Sequence, residues 1–86
     1  MLGIALWAAA CGGPPPSARE AQKRLAAGDY AGAQTIVDRE LRKTPRERHL
    51  WGIRIRVHMA RGDARSAVTA YREWRRLRGS DDRDAL

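Results

Sequence analysis

Gly28-Asp29-Tyr30-Ala31-Gly32-Ala33 and Gly62-Asp63-Ala64-Arg65-Ser66-Ala67 are one pattern written twice, 34 residues apart. Each copy opens with a stop signal joined to a start signal. The glycine can take the left-handed conformation that ends a helix. The aspartate behind it offers a carboxylate to the free N–H groups at the head of the next helix. Two such joints at this spacing imply two helix-turn-helix units of equal length, with Ala33 and Ala67 leaving room for helices to approach closely.

Working outward, Ser17-Ala18-Arg19-Glu20 reads as a capping box ahead of the first joint. Thr44-Pro45-Arg46-Glu47 reads as a second, with proline at the first helical position, where its missing N–H costs nothing. Gly79 is expected to close the last helix. These signals predict helices over 17–27, 30–43, 45–61 and 64–78, followed by a polar tail over 80–86. One stretch argues back: Leu50, Ile53, Ile55, Val57 and Met59 include a period-2 run with Arg54, Arg56 and His58 between them, as in a half-buried strand. A lone strand would leave its backbone groups unpaired. The helical reading sorts the same residues, with Trp51, Ile55 and Met59 at i, i+4, i+8 and Arg54, His58, Arg61 and Arg65 in a polar stripe. The fold class is therefore all-α, two antiparallel helix-turn-helix hairpins at 17–45 and 46–79.

With 86 residues, the chain buries only about 60% of the surface it exposes when unfolded. It has no Phe, three Trp, and 15 each of Ala and Arg, so the core must be thin. The single cysteine, Cys11, excludes an internal disulfide and any multi-cysteine metal site.

The Gly-Asp-Tyr turn at 28–30, Ala33, and Pro45 twelve residues after it resemble the tetratricopeptide repeat family, whose unit is a helical hairpin of this length. In the second unit Trp51 stands at the family's early Trp position, followed by Gly62-Asp63, Ala67 and Tyr71. The resemblance covers residues 14–79 and departs from the family at Glu20, Arg54 and Ile55. It implies a right-handed stack of four helices whose first helix in each unit forms a concave, ligand-binding face. Carried over by position, that face holds Arg19, Gln22 and Leu25 in unit one and His49, Ile53, Arg56 and Met59 in unit two. Arg19, His49 and Arg56 would present positive charge to an extended acidic peptide or a C-terminal carboxylate, groups that arginine binds with a planar fork.

Stacked hairpins usually need about three units for an independent core. Two leave a side exposed, which a second copy or a different protein is expected to cover. Val68, Tyr71, Trp74 and Leu77 on the last helix are candidates for that contact, Tyr and Trp being enriched at binding hot spots. The same four could instead pack inward on the third helix, Tyr71 above all.

Met1–Ala10 is an apolar run of roughly 15 Å as a helix, half of a bilayer core of about 30 Å. Ala8-Ala9-Ala10-Cys11 after it resembles the lipobox of bacterial lipoproteins, in which cleavage falls just before the cysteine and the thiol carries a diacylglycerol. Cys11–Pro16 then reads as a tether, two flexible glycines and a stiff polyproline piece. The resemblance implies a cell-envelope protein, lipid-anchored at the outer membrane and facing the periplasm; the alternative is a cytoplasmic protein without the anchor.

Charge is uneven. Residues 46–78 carry ten basic and three acidic side chains, and 17–43 carry six and four. An acidic protein, a subunit of a membrane complex or anionic headgroups would suit the basic second hairpin. Nucleic acid is the disfavoured partner, because no base-reading motif or zinc-finger spacing occurs. No catalytic constellation is visible: His49 and His58 are nine residues apart, and no nucleophile or paired carboxylate is spaced to work with them. The sequence thus points to a protein-binding adaptor or accessory subunit with no metal and no cofactor beyond the diacylglycerol on Cys11. The alternative is a cytoplasmic basic helical module that binds nucleic acid or an acidic protein.

The leader makes a direct prediction. Intact mass of the membrane-extracted protein should show loss of residues 1–10 and a diacylglyceryl adduct on Cys11; a mature chain that keeps Met1 and a free thiol removes the lipoprotein reading.

Overall fold

Four helices follow one another in the computed structural model, which describes residues 13–85 and the side chains as far as Gly79. They are α1 (Pro16–Ala26), α2 (Tyr30–Lys43), α3 (Arg48–Ala60) and α4 (Ala64–Ala85). Among the described residues there is no strand, and the stretch 50–59 is helical throughout. The apolar leader and Cys11 lie outside the described residues.

The two Gly-Asp joints are built alike, bond for bond. Gly28 and Gly62 have φ of 83° and 75°, the left-handed region where a side chain would be strained. At the first joint the Gly28 N–H donates to Leu25 O (3.0 Å) and the Asp29 N–H to Arg24 O (2.8 Å). At the second, Gly62 donates to Met59 O (3.0 Å) and Asp63 to His58 O (2.9 Å), the same atoms 34 positions on. This is the double bond of a Schellman ending. Each aspartate then caps the next helix, accepting the N–H of Gly32 or Ser66 at 3.0 Å.

The outer helix ends differ from the sequence expectation. Ser17 is not the first cap: the helix starts at Pro16, no side chain caps it, and the Ala18 and Arg19 N–H groups turn back to Pro15 O. Thr44 is not the third cap either. Its hydroxyl donates to Glu40 O (3.0 Å), and Pro45–Arg46 form a turn closed by the Glu47 N–H on Thr44 O (3.2 Å). Glu47 itself caps α3, its carboxylate accepting the Leu50 N–H at 2.9 Å. Gly79 does not end α4, whose backbone runs on as helix to Ala85.

Each hairpin packs its own two helices together, and α3 joins them by lying against both α1 and α2. The core that results is a small set of branched side chains with alanines between them where helices approach closely. Ala18, Ala21 and Ala33 lie in it with Ile36, Val37, Leu41, Leu50, Ile53, Val57 and Ala70. Trp51 is the largest buried residue. Its indole N–H donates to Pro45 O (2.7 Å), and its ring stacks on Trp74 with centroids 6.3 Å apart.

Two outcomes are expected. Leu50→Ala empties a fully buried site and should cost about 2–5 kcal/mol in denaturant unfolding. The cap carboxylates set an acid limit. Asp29 is held below its ordinary 3.8 by the Gly32 amide and then by Arg24, and Asp63 by the hydroxyl and amide of Ser66. Since the folded values lie below the unfolded ones, the stabilisation is complete above the ordinary carboxylate range and is lost as pH falls through the lowered values. Asn caps as well as Asp but does not titrate. The double variant Asp29→Asn, Asp63→Asn should therefore lose less thermal stability than the parent between about pH 5 and pH 2.

Candidate functional site

Helical spacing on α1 and α3 builds a groove between them. On α1, Arg19 and Lys23 stand one turn apart, with Ala18 and Gln22 beside them; on α3, Arg48, Gly52 and Arg56 stand at i, i+4, i+8, with His49 and Ile53 alongside. These residues and Pro14 enclose a groove of about 590 Å³. Its floor is apolar, made by Ala18, Ile53 and the bare backbone at Gly52. A Cβ built on Gly52 would meet nothing within 4 Å, so the groove is open there. Arg56 reaches across and donates to Gln22 Oε1 at 3.2 Å, the one hydrogen bond between the walls that the described residues show.

The electrostatics of this groove differ from those of the rest of the first hairpin. Outside the groove four cations have carboxylate partners: Arg24 with Glu20 (3.5 Å) and Asp29 (3.0 Å), Arg39 and Lys43 with Glu40 (3.3 and 3.5 Å), and Arg54 with Asp38 (2.7 Å). Burial pushes the Glu40 carboxyl up, but its two cations override that and hold it below the usual range. By contrast Arg19, Lys23, Arg48 and Arg56 have no carboxylate partner among the described residues, and no acidic residue lines the groove. Nearby, His49 Nδ1 lies 2.9 Å from Glu47 Oε1, which orients the imidazole at the groove's edge.

Of the residues expected on a concave face, the structure brings Arg19, Gln22, His49, Ile53 and Arg56 together here. Leu25 instead packs against the core, and Met59 stands exposed beyond the groove's end. Lys23, Arg48 and Pro14 were not foreseen. The first two could have been found by continuing the i, i+4 rows from Arg19 and from Gly52. On α4 the four candidates divide: Trp74 and Leu77 pack against the core, while Val68 and Tyr71 are exposed. Tyr71, the one expected to turn inward most, faces outward.

A second cavity, of about 420 Å³, lies against α4 beside Tyr71, Arg75, Arg78 and Gly79. A third opening, of about 510 Å³, lies on the opposite face of α3 from the groove, among Gln34, Asp38, Arg54, His58, Arg65 and Glu73. It is largely self-neutralised. Asp38 Oδ1 accepts from Arg54 (2.7 Å) and from Gln34 Nε2 (2.8 Å), leaving Gln34 Oε1 buried and unbonded. Among the described residues no group of three or more His, Cys, Asp or Glu side chains could hold a metal ion, and no helix is long and apolar enough to cross a membrane.

No protein-family model, curated protein or solved structure matches this chain. What the groove can bind follows from its own side chains. Four uncompensated cations around an apolar floor attract an anionic ligand that also carries apolar groups. Charge alone would be satisfied by any polyanion; the floor at Gly52 and Ile53 adds a demand for side chains to fill it.

Proposed function

We infer that this chain is a tetratricopeptide-like protein-binding module that takes an extended acidic segment of another protein into the groove between α1 and α3. The observation that carries this reading is the set Arg19, Lys23, Arg48 and Arg56, four cations that line one groove and have no carboxylate partner among the described residues, where Arg24, Arg39, Lys43 and Arg54 each have one. Held in the groove, an acidic peptide would supply the missing partners, while its apolar side chains would lie on Ala18, Gly52 and Ile53.

The same reading makes the module non-catalytic. His49 borders the groove and His58 the opposite face of α3, so the two imidazoles serve different surfaces. The lipobox-like leader supports an anchored form, a small adaptor or accessory subunit of a membrane-associated complex. Cys11 is three residues before Pro14, which lines the groove, so a lipid on Cys11 would hold the binding face close to the membrane surface.

The test uses a substitution that should not harm the fold. Gly52→Leu puts a side chain into open space in mid-helix and should raise stability by about 0.5–1 kcal/mol. It should also fill the groove and abolish calorimetric binding of Asp- and Glu-rich peptides containing leucine. Arg19→Glu with Arg56→Glu should do the same by charge, and binding to the parent should weaken with salt. If Gly52→Leu binds such peptides as the parent does, or if heparin binds equally well to parent and variant while peptides do not bind at all, the groove is not a peptide site.

A further inference from the structure

The two hairpins can be compared position by position at an offset of 34, and the comparison exposes an unfilled place at the end of the stack. In unit one Ala21, Val37 and Leu41 are buried in the core that α3 completes, with relative exposures of 0, 0 and 7%. Their equivalents in unit two are Ile55, Tyr71 and Arg75. Tyr71 is 51% exposed, Arg75 is exposed, and Met59, the equivalent of the partly buried Leu25, is 62% exposed. Val68, 48% exposed, stands where unit one has Gln34. Among the described elements α4 packs on α3 alone. Ile55 is partly buried against the core, but Met59, Tyr71 and Arg75 are counterparts of residues that α3 helps to bury in unit one, and nothing described covers them.

Unit one also shows what a covering helix looks like. The α3 helix brings Leu50, Ile53 and Val57 into the core, and beside them Arg54, which meets Asp38 at 2.7 Å. The equivalent of Asp38 is Arg72. The charge at the receiving position is reversed, and Arg75 and Arg78 flank it, drawn over the rings of Tyr71 and Trp74 at 6.0 and 5.9 Å.

We propose that the face formed by Ile55, Met59, Val68, Tyr71, Arg72 and Arg75 docks an amphipathic helix of a partner protein. That helix carries apolar side chains at i, i+3 and i+7, as α3 does, and a carboxylate at i+4 where α3 has arginine. A second copy of this chain fits poorly. Its α1 would take the covering position and offer Glu20 to Arg72, but Arg19 and Lys23 would fall where Ile53 and Val57 are buried, against Tyr71 and Arg75. Nor does α4 turn back to cover the face. Where α2 ends at Lys43, equivalent to Leu77, α4 continues as helix to Ala85. This surface lies beyond the groove's end, and its occupant is independent of the peptide proposed there.

The probes are two synthetic peptides covering residues 46–61 of this chain, one parental and one with Arg54→Glu. On the full chain the Arg54→Glu peptide should bind about tenfold more tightly, with shifts at the Met59 methyl. In the Arg72→Glu chain, which restores the charge order of unit one, the preference should reverse. An unchanged preference in Arg72→Glu overturns the proposal. So do shifts confined to Arg19 and Arg56, which mark the groove, or at Leu50, which mean that the peptide replaces α3 itself. Anionic vesicles or a single-stranded oligonucleotide shifting Met59 where neither peptide does would assign the face to lipid or nucleic acid instead.

Discussion

Trp51 is the joint on which both hairpins depend. Its indole N–H holds the Pro45 carbonyl, its ring stacks on Trp74 of α4, and the Arg54 guanidinium lies 5.1 Å from the ring centre while pairing with Asp38 of α2. One side chain on α3 is thereby connected to the inter-hairpin turn, to the last helix and, through Arg54, to the first hairpin. Such a hub matters more here than in a larger domain, because four of the ten other core residues are alanine and bury little area each. Small side chains bring the helices close; the aromatic pair supplies the surface that alanine lacks.

The central position of α3 also accounts for its ambiguous pattern. An exposed helix shows one apolar stripe. This one is occupied on nearly every side: Leu50, Ile53 and Val57 face the core with Ile55 partly buried against it, Arg48, Gly52 and Arg56 face the groove, Arg54 and His58 the polar cleft, and Met59 stands exposed. Four environments around one cylinder produce a period-2 run from 53 to 59 without any strand. The alternation records neighbours, which become visible only once the helices are assembled.

Legibility followed the range of the forces involved. The Gly28-Asp29 and Gly62-Asp63 joints could be read because every bond in them is made within six residues. The all-α class and the hairpin order followed from them. The start of α3 was misplaced because Thr44-Pro45-Arg46-Glu47 satisfies the capping-box pattern. The structure instead spends Thr44 on the helix behind it and uses the Pro45 carbonyl to receive Trp51. Tyr71 and Trp74 were harder still. Both are aromatic residues on α4, and only the tertiary stack with Trp51 decides that Trp74 turns inward and Tyr71 outward. In the groove, the residues set by position were legible, while the absence of carboxylate partners for Lys23 and Arg48 needed the folded arrangement.

The two uncovered surfaces share a physical logic. Like charges gathered on a small domain repel, and the repulsion is tolerated where the core stabilisation exceeds it. In unit one the repulsion is met locally, since Glu40, Asp38 and Asp29 lie among the cations. Among the described residues, no carboxylate pairs with the arginines around the groove or along the open face. A thin, alanine-rich core gives little surplus to hold such charge in place, so any anionic partner relieves strain as well as making contacts. Binding then stabilises the fold by linkage, in proportion to how far the ligand exceeds its dissociation constant. The geometry that leaves these arginines without carboxylates would therefore couple the domain's stability to an anionic partner of the kind proposed more strongly than burial alone would require.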